Sequence, residues 1–362
     1  MTPSDHTTGV ASRVKPNGGE ANLGRPGFVD RLLRRIARLP LGGWWVYALL
    51  FVGAGTWATV VRWATGAAPV GSVNLTTVTW AFYLPYYLAM IHYLDRSAER
   101  ALAAFAPALG GSPDDLTSWR RELTSMPPRQ AAVATLVGAA FGALLVAGTP
   151  PSIYLLFSPS LVATALLTGW LIVLSFAVFA VLLYHTWHQL KAVRAIHAAA
   201  EHIDPFRPAP LFAFSRLTAR TGIGFLLYLV YGLVVNGDFS RAAAPAVVDY
   251  LVSITPAVAC FLIPLMGMHG RLTAAKSELL AESDARIQAA TAELYRRVDS
   301  GQLAGSGDAR DALEGLTIVR DLTARLPTWP WSPQLLGGFV TALILPIVIW
   351  FITRALGSVL SV

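Results

Sequence analysis

Charge is scarce in this 362-residue chain. Only 14% of its residues are charged, whereas an average soluble domain carries roughly 25%. Apolar residues make up 54% of the sequence and recur in long runs. That combination excludes an ordinary soluble domain, and it predicts a polytopic α-helical membrane protein of the all-α class.

Cysteine is almost absent. The one cysteine, Cys260, lies in an apolar run. A disulfide framework needs two cysteines, and a cysteine-based metal site needs several, so both are excluded. We predict that Cys260 is a small core residue, and we expect neither a metal nor a cofactor.

Catalytic signatures are missing as well. The sequence contains no GxxxxGK[ST] loop, no GxSxG elbow and no HExxH pair. His197 and His202 precede a proline-containing turn, but no nucleotide-binding boxes follow that would support a histidine kinase. We therefore expect no enzymatic activity.

Seven apolar segments approach or reach the roughly twenty residues that a helix needs to cross a bilayer. They are 44–61, 75–94, 131–147, 161–184, 223–235, 246–268 and 335–353. The fifth is the shortest. We include it as a span because the distribution of basic residues requires one there.

That distribution predicts the orientation. With the amino terminus inside, the four inner segments hold seven, five, five and eight Lys and Arg residues, which is 25 of the 28. Only Arg62, Arg241 and Arg354 fall outside. Because basic residues favour the cytoplasmic side, the sequence predicts seven spans in the plasma (inner) membrane, a cytoplasmic amino terminus and an external carboxyl terminus. The basic balance then marks a membrane face rather than a nucleic-acid partner.

Two segments precede the first span. Residues 1–27 lack an apolar period and are predicted to be a disordered tail. Residues 28–40 are predicted to form an amphipathic interfacial helix, with an apolar face of Phe28, Leu32, Ile36 and Leu39 surrounded by Arg31, Arg34, Arg35 and Arg38. These arginines either bind anionic lipid headgroups or simply fix the orientation of the first span.

The longest polar insertion, 269–334, separates the sixth and seventh spans; shorter cytoplasmic loops, 95–130 and 185–221, precede it. Apolar residues recur near every seventh position at Leu272, Leu279 or Leu280, Ile287, Leu294 and Val298. Gly301, Gly305 and Gly307 interrupt the run, and a second stripe follows at Leu313, Leu316, Val319, Leu322 and Leu326. Two stripes joined by a flexible turn predict a cytoplasmic antiparallel coiled-coil hairpin.

Polar residues near the spans supply two candidate sites. Asp249, Ser253 and Thr255 could line an intramembrane cavity, or Asp249 could be an interfacial residue at the start of a helix. His92, His185, His188 and His269 could bind a ligand or respond to pH, although histidine is also common at helix ends and interfaces.

Two functions fit these patterns. The first is a membrane signalling or scaffold protein that uses its cytoplasmic helices to bind a protein partner or another copy of itself. The alternative is an oligomeric ion channel or transporter, with proline-kinked spans lining a pore and the cytoplasmic helices serving assembly. The layout of seven spans resembles that of the insect chemoreceptor ion channels in topology, without a shared motif, and assigns no residue a role.

Overall fold

The computed structural model describes residues 27–110, 112–148, 162–201, 203–206, 208–235, 243–301 and 306–360. These residues form eleven α-helices and one 3-10 turn and contain no β-strand, so the predicted all-helical class is confirmed. The helices are α1 Phe28–Ala37, α2 Trp44–Ala64, α3 Leu75–Leu109, α4 Pro113–Thr124, α5 Pro128–Gly148, α6 Val162–Ala198, α7 Pro208–Leu211, α8 Ala213–Val235, α9 Ala243–Asp299, α10 Ser306–Ala324 and α11 Pro333–Leu360.

Four segments of the described chain are long and apolar enough to cross a membrane: Pro40–Ala64, Pro113–Ala147, Leu167–Ala198 and Ile254–Asp299. A shorter apolar segment, Pro333–Ile349, lies in α11. The four long segments indicate a membrane protein. Three helices that the sequence predicts as spans, α3, α8 and α11, are not among the four. Threonines and tyrosines make the first part of α3 less apolar than the other spans.

α3 is the central helix of the bundle. It contacts α2, α4, α6, α7 and α8, and six of its described side chains have no exposed surface: Thr77, Ala81, Ile91, Leu94, Ala98 and Phe105. Tyr86 on α3 donates a hydrogen bond to the main-chain oxygen of Gly224 at 2.6 Å. Because protein rather than lipid surrounds α3, its polar groups find partners within the bundle.

Two glycines set the close approach of α5 and α6. A Cβ atom at Gly138 would lie 2.3 Å from the main-chain oxygen of Phe176, and one at Gly142 would lie 2.9 Å from the Cα of Val173. The two glycines are four residues apart and therefore share one face of α5. This spacing is typical of closely packed membrane helices, in which small residues let the backbones meet.

A left-handed turn connects α1 to α2. Leu41, Gly42 and Gly43 have φ values of 56°, 66° and 72°. A Cβ atom at Gly43 would lie 2.1 Å from the main-chain oxygen of Ile36, so this position requires glycine.

Candidate functional site

α9 belongs both to the bundle and to the long polar insertion. It is one helix of 57 residues, with Pro256 and Pro264 inside it. Its apolar part contacts α8 and α6, and α10 contacts α9 as well. We call residues 271–299 of α9 together with α10 the helix pair. Because α9 is continuous, the helix pair is joined directly to the bundle.

Arg271, at the base of the helix pair, caps the end of α6. Its Nη1 atom donates to the main-chain oxygens of His197 and Ala198, the latter at 2.9 Å, and its Nη2 atom donates to that of Ala200 at 2.6 Å. The last carbonyls of a helix have no partner within it and carry partial negative charge. A guanidinium with several donors satisfies them, so Arg271 fixes the base of the helix pair against α6.

Lys276 caps α10 in the same way. Its Nζ atom donates to the main-chain oxygens of Ala324 at 2.6 Å and Leu326 at 2.9 Å. Further along, Arg320 Nε donates to Asp284 Oδ1 at 2.6 Å. These contacts join the first part of the 271–299 segment of α9 to the second half of α10. The Arg320–Asp284 pair is roughly half exposed, and solvent therefore weakens it.

A column of aromatic rings runs from the base of the helix pair into the bundle. His269 stacks on Trp329 with ring centroids 3.9 Å apart, and Trp329 stacks on Trp331 at 4.3 Å. Phe261 continues the column to Trp331 at 5.5 Å and to Phe339 of α11 at 4.3 Å. His269 Nδ1 also lies 3.0 Å from the main-chain oxygen of Thr328. The column holds the return segment after α10 against both α9 and α11.

α9 and α10 contact each other, and one side of each helix is shielded along the helix pair. Buried or partly buried residues recur on α9 at Lys276, Leu280, Ser283, Ile287, Leu294 and Arg297, and on α10 at Leu313, Leu316, Arg320 and Thr323. Three residues of the predicted stripes lie outside this contact: Val298, Val319 and Leu322 are 51%, 49% and 55% exposed. Arg320 and Thr323 are instead among the shielded residues of α10. A search for apolar residues alone does not find these two polar side chains.

α10 consequently has a second, exposed apolar face. Ile318 is 55% exposed, like Leu322, and Gly315 lies on the same side of the helix. Asp311 and Arg325, both exposed, extend this row at its two ends. We call these five residues the outer face of α10.

The distal part of α9 carries ion pairs between its own neighbours. Glu293 accepts hydrogen bonds from Arg296 and Arg297 at 2.6–2.8 Å. These bonds lower the pKa of Glu293 to about 2. Because all three residues lie on α9, the pairs stabilise that helix rather than its contact with α10.

The four histidines of the predicted ligand or pH site are distributed over three helices. His92 on α3 lies 2.9 Å from Tyr47 Oη and stacks on Trp44, both on α2. His185 and His188 are on α6, and His269 is in the aromatic column at the base of the helix pair. In the described ranges, no group of three or more His, Cys, Asp and Glu side chains could hold a metal ion.

His185 instead joins α6 to α3. Its Nε2 atom lies 2.8 Å from Asp95 Oδ1, and the histidine side chain is 2% exposed. Burial raises the pKa of Asp95, and the neighbouring His185 opposes that shift. Nδ1 of His185 and Nε2 of His188 are buried without a hydrogen-bond partner among the described residues. The Asp95–His185 pair can therefore hold a proton at the α3–α6 contact.

α1 faces the bundle with a different side from the one predicted. Val29, Leu33 and Ile36 are buried, whereas Phe28 is 72% exposed and Leu39 is 39% exposed. The cause is Asp30, which is buried and accepts hydrogen bonds from the backbone N–H of Met126 at 3.1 Å and that of Gly27 at 3.3 Å. Arg31, Arg34, Arg35 and Arg38 are all exposed.

The predicted intramembrane site lies on α9. Asp249 and Ser253 belong to this helix one turn apart, and their side chains fall outside what the structure describes. Thr255 is exposed, and Cys260 is partly buried against the core. The predicted disordered tail also lies outside the described residues, except for Gly27.

No family model matches this chain, and neither the curated proteins nor the solved structures include a match. The residues themselves therefore carry the functional argument. Sequence reasoning missed Arg271, Lys276 and Asp30. The capped carbonyls lie 71 residues from Arg271 and 50 residues from Lys276, and Asp30 bonds to a residue 96 positions away. The one available signal for Arg271 and Lys276 is their positive charge, because cations favour the carboxyl-terminal ends of helices.

Proposed function

We propose that this chain is a non-enzymatic membrane signalling or scaffold protein that binds a protein partner through its helix pair on the cytoplasmic side. The exposed outer face of α10 is the observation that carries the proposal. Ile318 and Leu322 are exposed on a helix whose inner side already contacts α9, and the neighbouring Val319 is exposed as well. Contiguous exposed apolar residues typically mark an interaction surface.

The way the helix pair is held supports the same proposal. Arg271 and the aromatic column hold its base against α6 and α11, and Lys276 joins its two helices to each other. A partner bound to α10 would thus contact a rigid helix pair that continues into the bundle through α9. This arrangement suits transmission of a binding event in either direction.

The proposed topology has seven spans, with an inner amino terminus and an outer carboxyl terminus. The four long apolar segments supply part of it, and α3, α8 and α11 supply the others. The sidedness rests on the 25 basic residues in inner segments. In this topology the helix pair lies in the cytoplasm, as an antiparallel helical hairpin.

The anionic headgroups of the inner leaflet are the second proposed partner. Three exposed arginines of α1 and Arg38 directly after it are free to face the membrane surface, because Val29, Leu33 and Ile36 make the contact with the bundle. Three exposed apolar side chains lie beside them: Phe28, Leu39 and Leu41. Such side chains can insert where the lipid headgroups meet the acyl chains.

An oligomeric ion channel or transporter is the alternative. Pro85, Pro256, Pro264 and Pro346 lie inside α3, α9 and α11, where each proline frees a backbone carbonyl that can face a pathway. In that case the helix pair would serve assembly of the oligomer.

Two measurements on the full-length protein test the proposal. A photoreactive residue in place of Ile318 should form adducts with protein in cells, whereas the same residue in place of Leu316, on the inner side of α10, should not. In liposomes, the purified protein should pass no ions across a range of pH and voltage. Absence of adducts at position 318, together with an ion flux that Asp249→Asn abolishes, would favour the channel.

A further inference from the structure

We infer that α5 and α6 together bind one phospholipid, which they recognise through its phosphate group. The inference goes beyond the proposed function, because it involves neither the helix pair nor α1. Both helices belong to segments that are long and apolar enough to cross a membrane. The amino-terminal end of α5 therefore lies near the membrane surface, beside the part of α6 that continues past it. Four residues there form what we call the headgroup site: Arg129, Trp187, Lys191 and Arg194.

One hydrogen bond aligns the two helices at this level. Tyr184 Oη on α6 donates to Gln130 Oε1, in the first turn of α5, at 2.8 Å. From this point α6 continues for about four further turns. Residues three or four positions apart share one side of a helix, so Trp187, Lys191 and Arg194 follow on the side that faces α5. All three are exposed, so this surface of α6 is open just beyond the end of α5.

Lys191 is held next to Trp187. Its Nζ atom lies 4.8 Å from the centroid of the Trp187 ring, within the range of a cation–π contact. Helical side chains lean toward the amino-terminal end of their helix, which for α6 is the direction of its apolar part. Trp187 is 56% exposed, and tryptophan favours the level of the lipid headgroups. The contact thus places a positive charge at the membrane surface.

The cations of the headgroup site have no acidic partner. Within the described residues, the side chains of Arg129, Lys191 and Arg194 form no ion pair. Glu122 of α4 is close enough for the charge of Lys191 to act on it, yet these two groups form no ion pair. By contrast, several cations on other helices are paired with acids: Arg120, Arg286, Arg296, Arg297 and Arg320. The headgroup site therefore has positive charge available for an anion.

Apolar side chains continue from the headgroup site along both helices. On α5, Val133 and Val137 follow Arg129 at intervals of four residues. On α6, Leu183 precedes Trp187 by four residues. The two valines and the leucine are exposed. Both helices thus combine a polar end at the membrane surface with apolar side chains along the membrane-spanning part, and a phospholipid has the complementary arrangement of phosphate and acyl chains.

Phosphate is the group that the headgroup site recognises. Arginine and lysine both bind phosphate, because their N–H donors and positive charge match its oxygens. Neutral and anionic phospholipids carry the same phosphate group, so this site does not require a headgroup with a net negative charge. In this respect it differs from the arginines of α1, whose proposed ligand is an anionic headgroup.

Native mass spectrometry tests the site. The full-length protein is purified in a maltoside detergent, which carries no phosphate, and is supplied with an equimolar amount of phosphatidylcholine. We expect it to retain one phosphatidylcholine and to release a diacylglycerol with the same acyl chains. Lys191→Gln and Arg129→Gln should each weaken retention about tenfold, as expected for the loss of a hydrogen bond to a charged group. Arg310→Gln removes an exposed cation of α10 and is the matched control, which should leave retention unchanged.

Photocrosslinking locates the lipid under the same conditions. A photoreactive residue in place of Trp187 should capture phosphatidylcholine, whereas one in place of Trp170, another exposed tryptophan of α6, should not. Phosphocholine, the headgroup without acyl chains, should not displace the lipid. Circular dichroism confirms that each variant keeps its helices.

Three results would overturn the inference. The first is equal retention of phosphatidylcholine and diacylglycerol, or retention that survives both substitutions, because phosphate would then have no role. The second is equal capture at positions 187 and 170, which would show lipid all around α6 rather than at one site. The third is displacement by phosphocholine, because the site would then bind the headgroup alone.

Discussion

Arg271 on α9 donates from Nη2 to the main-chain oxygen of Ala200, 2.6 Å away, just beyond the end of α6. With its bonds to two neighbouring carbonyls, this side chain joins the helix pair to the bundle. Arg271→Ala should lower the free energy of unfolding by about 2 kcal/mol, the typical contribution of hydrogen bonds to a charged group. Arg271→Lys should recover part of the loss, because an ammonium cannot match the geometry of the guanidinium.

Hydrogen exchange locates this effect. In Arg271→Ala, the last turn of α6 should exchange faster, whereas in Lys276→Ala the last turn of α10 should do so. Each variant is the control for the other, because the two cations cap different helices. An unchanged last turn of α6 in Arg271→Ala would refute the capping role.

The second prediction concerns the contact between α5 and α6. Gly138→Ala should destabilise the protein by about 1–3 kcal/mol, because the added methyl meets the main-chain oxygen of Phe176. Gly53→Ala in α2 is the control, since its Cβ would meet nothing within 4 Å. Thermal unfolding in detergent compares the two variants, and equal midpoints would disprove the close packing.

The third prediction is a pH dependence that originates at Asp95. The folded protein raises the pKa of this carboxyl group above its ordinary value of 3.8, so the folded state binds the proton more tightly than the unfolded chain does. The resulting stabilisation is full below pH 3.8 and is lost as the pH rises through the raised pKa. Asp95→Asn should flatten this part of the stability profile, while an asparagine oxygen can still accept a hydrogen bond from His185.

Glu293→Gln is the control for Asp95→Asn. Because the pKa of Glu293 is lowered to about 2, its contribution is present above its ordinary value of 4.5 and is lost as the pH falls toward 2. Its removal should lower the stability by a constant amount above pH 4.5 and change the pH dependence only below that value. Unfolding midpoints in detergent between pH 3 and pH 8, a range chosen to bracket the ordinary Asp and His values, measure both effects. Identical profiles for wild type and Asp95→Asn would show that Asp95 is not the source of this pH dependence.

The fourth prediction concerns anionic lipid. Replacing Arg31, Arg34, Arg35 and Arg38 together by Gln should remove the stabilisation that anionic nanodiscs give over neutral ones, at about 1 kcal/mol per arginine near the surface. Stability in neutral nanodiscs should not change. The control replaces Arg296 and Arg297 on the helix pair by Gln. An anionic-lipid effect that survives the fourfold replacement would exclude α1 as the lipid-binding element.

Local patterns in the sequence predicted the helical class, because hydropathy and apolar spacing act over a few turns. They failed where a polar side chain set the packing. Asp30 turns α1 so that Val29 and Leu33 face the bundle, through a bond to Met126 that the helix itself does not reveal. The inner contact of α10 passes through Arg320 in the same way, which leaves Leu322 exposed. The caps made by Arg271 and Lys276 depend on tertiary folding and have no local pattern.

The most direct test of the account is the side of the membrane on which the helix pair stands. Gly307→Cys in the Cys260→Ser background places one thiol near the tip, where a Cβ meets nothing within 4 Å. A membrane-impermeant maleimide should label it in inside-out vesicles and leave it unlabelled in intact cells. Ser72→Cys, in a predicted outer loop, should give the opposite pattern. Labelling of position 307 in intact cells would contradict the account, because the helix pair would then lie outside.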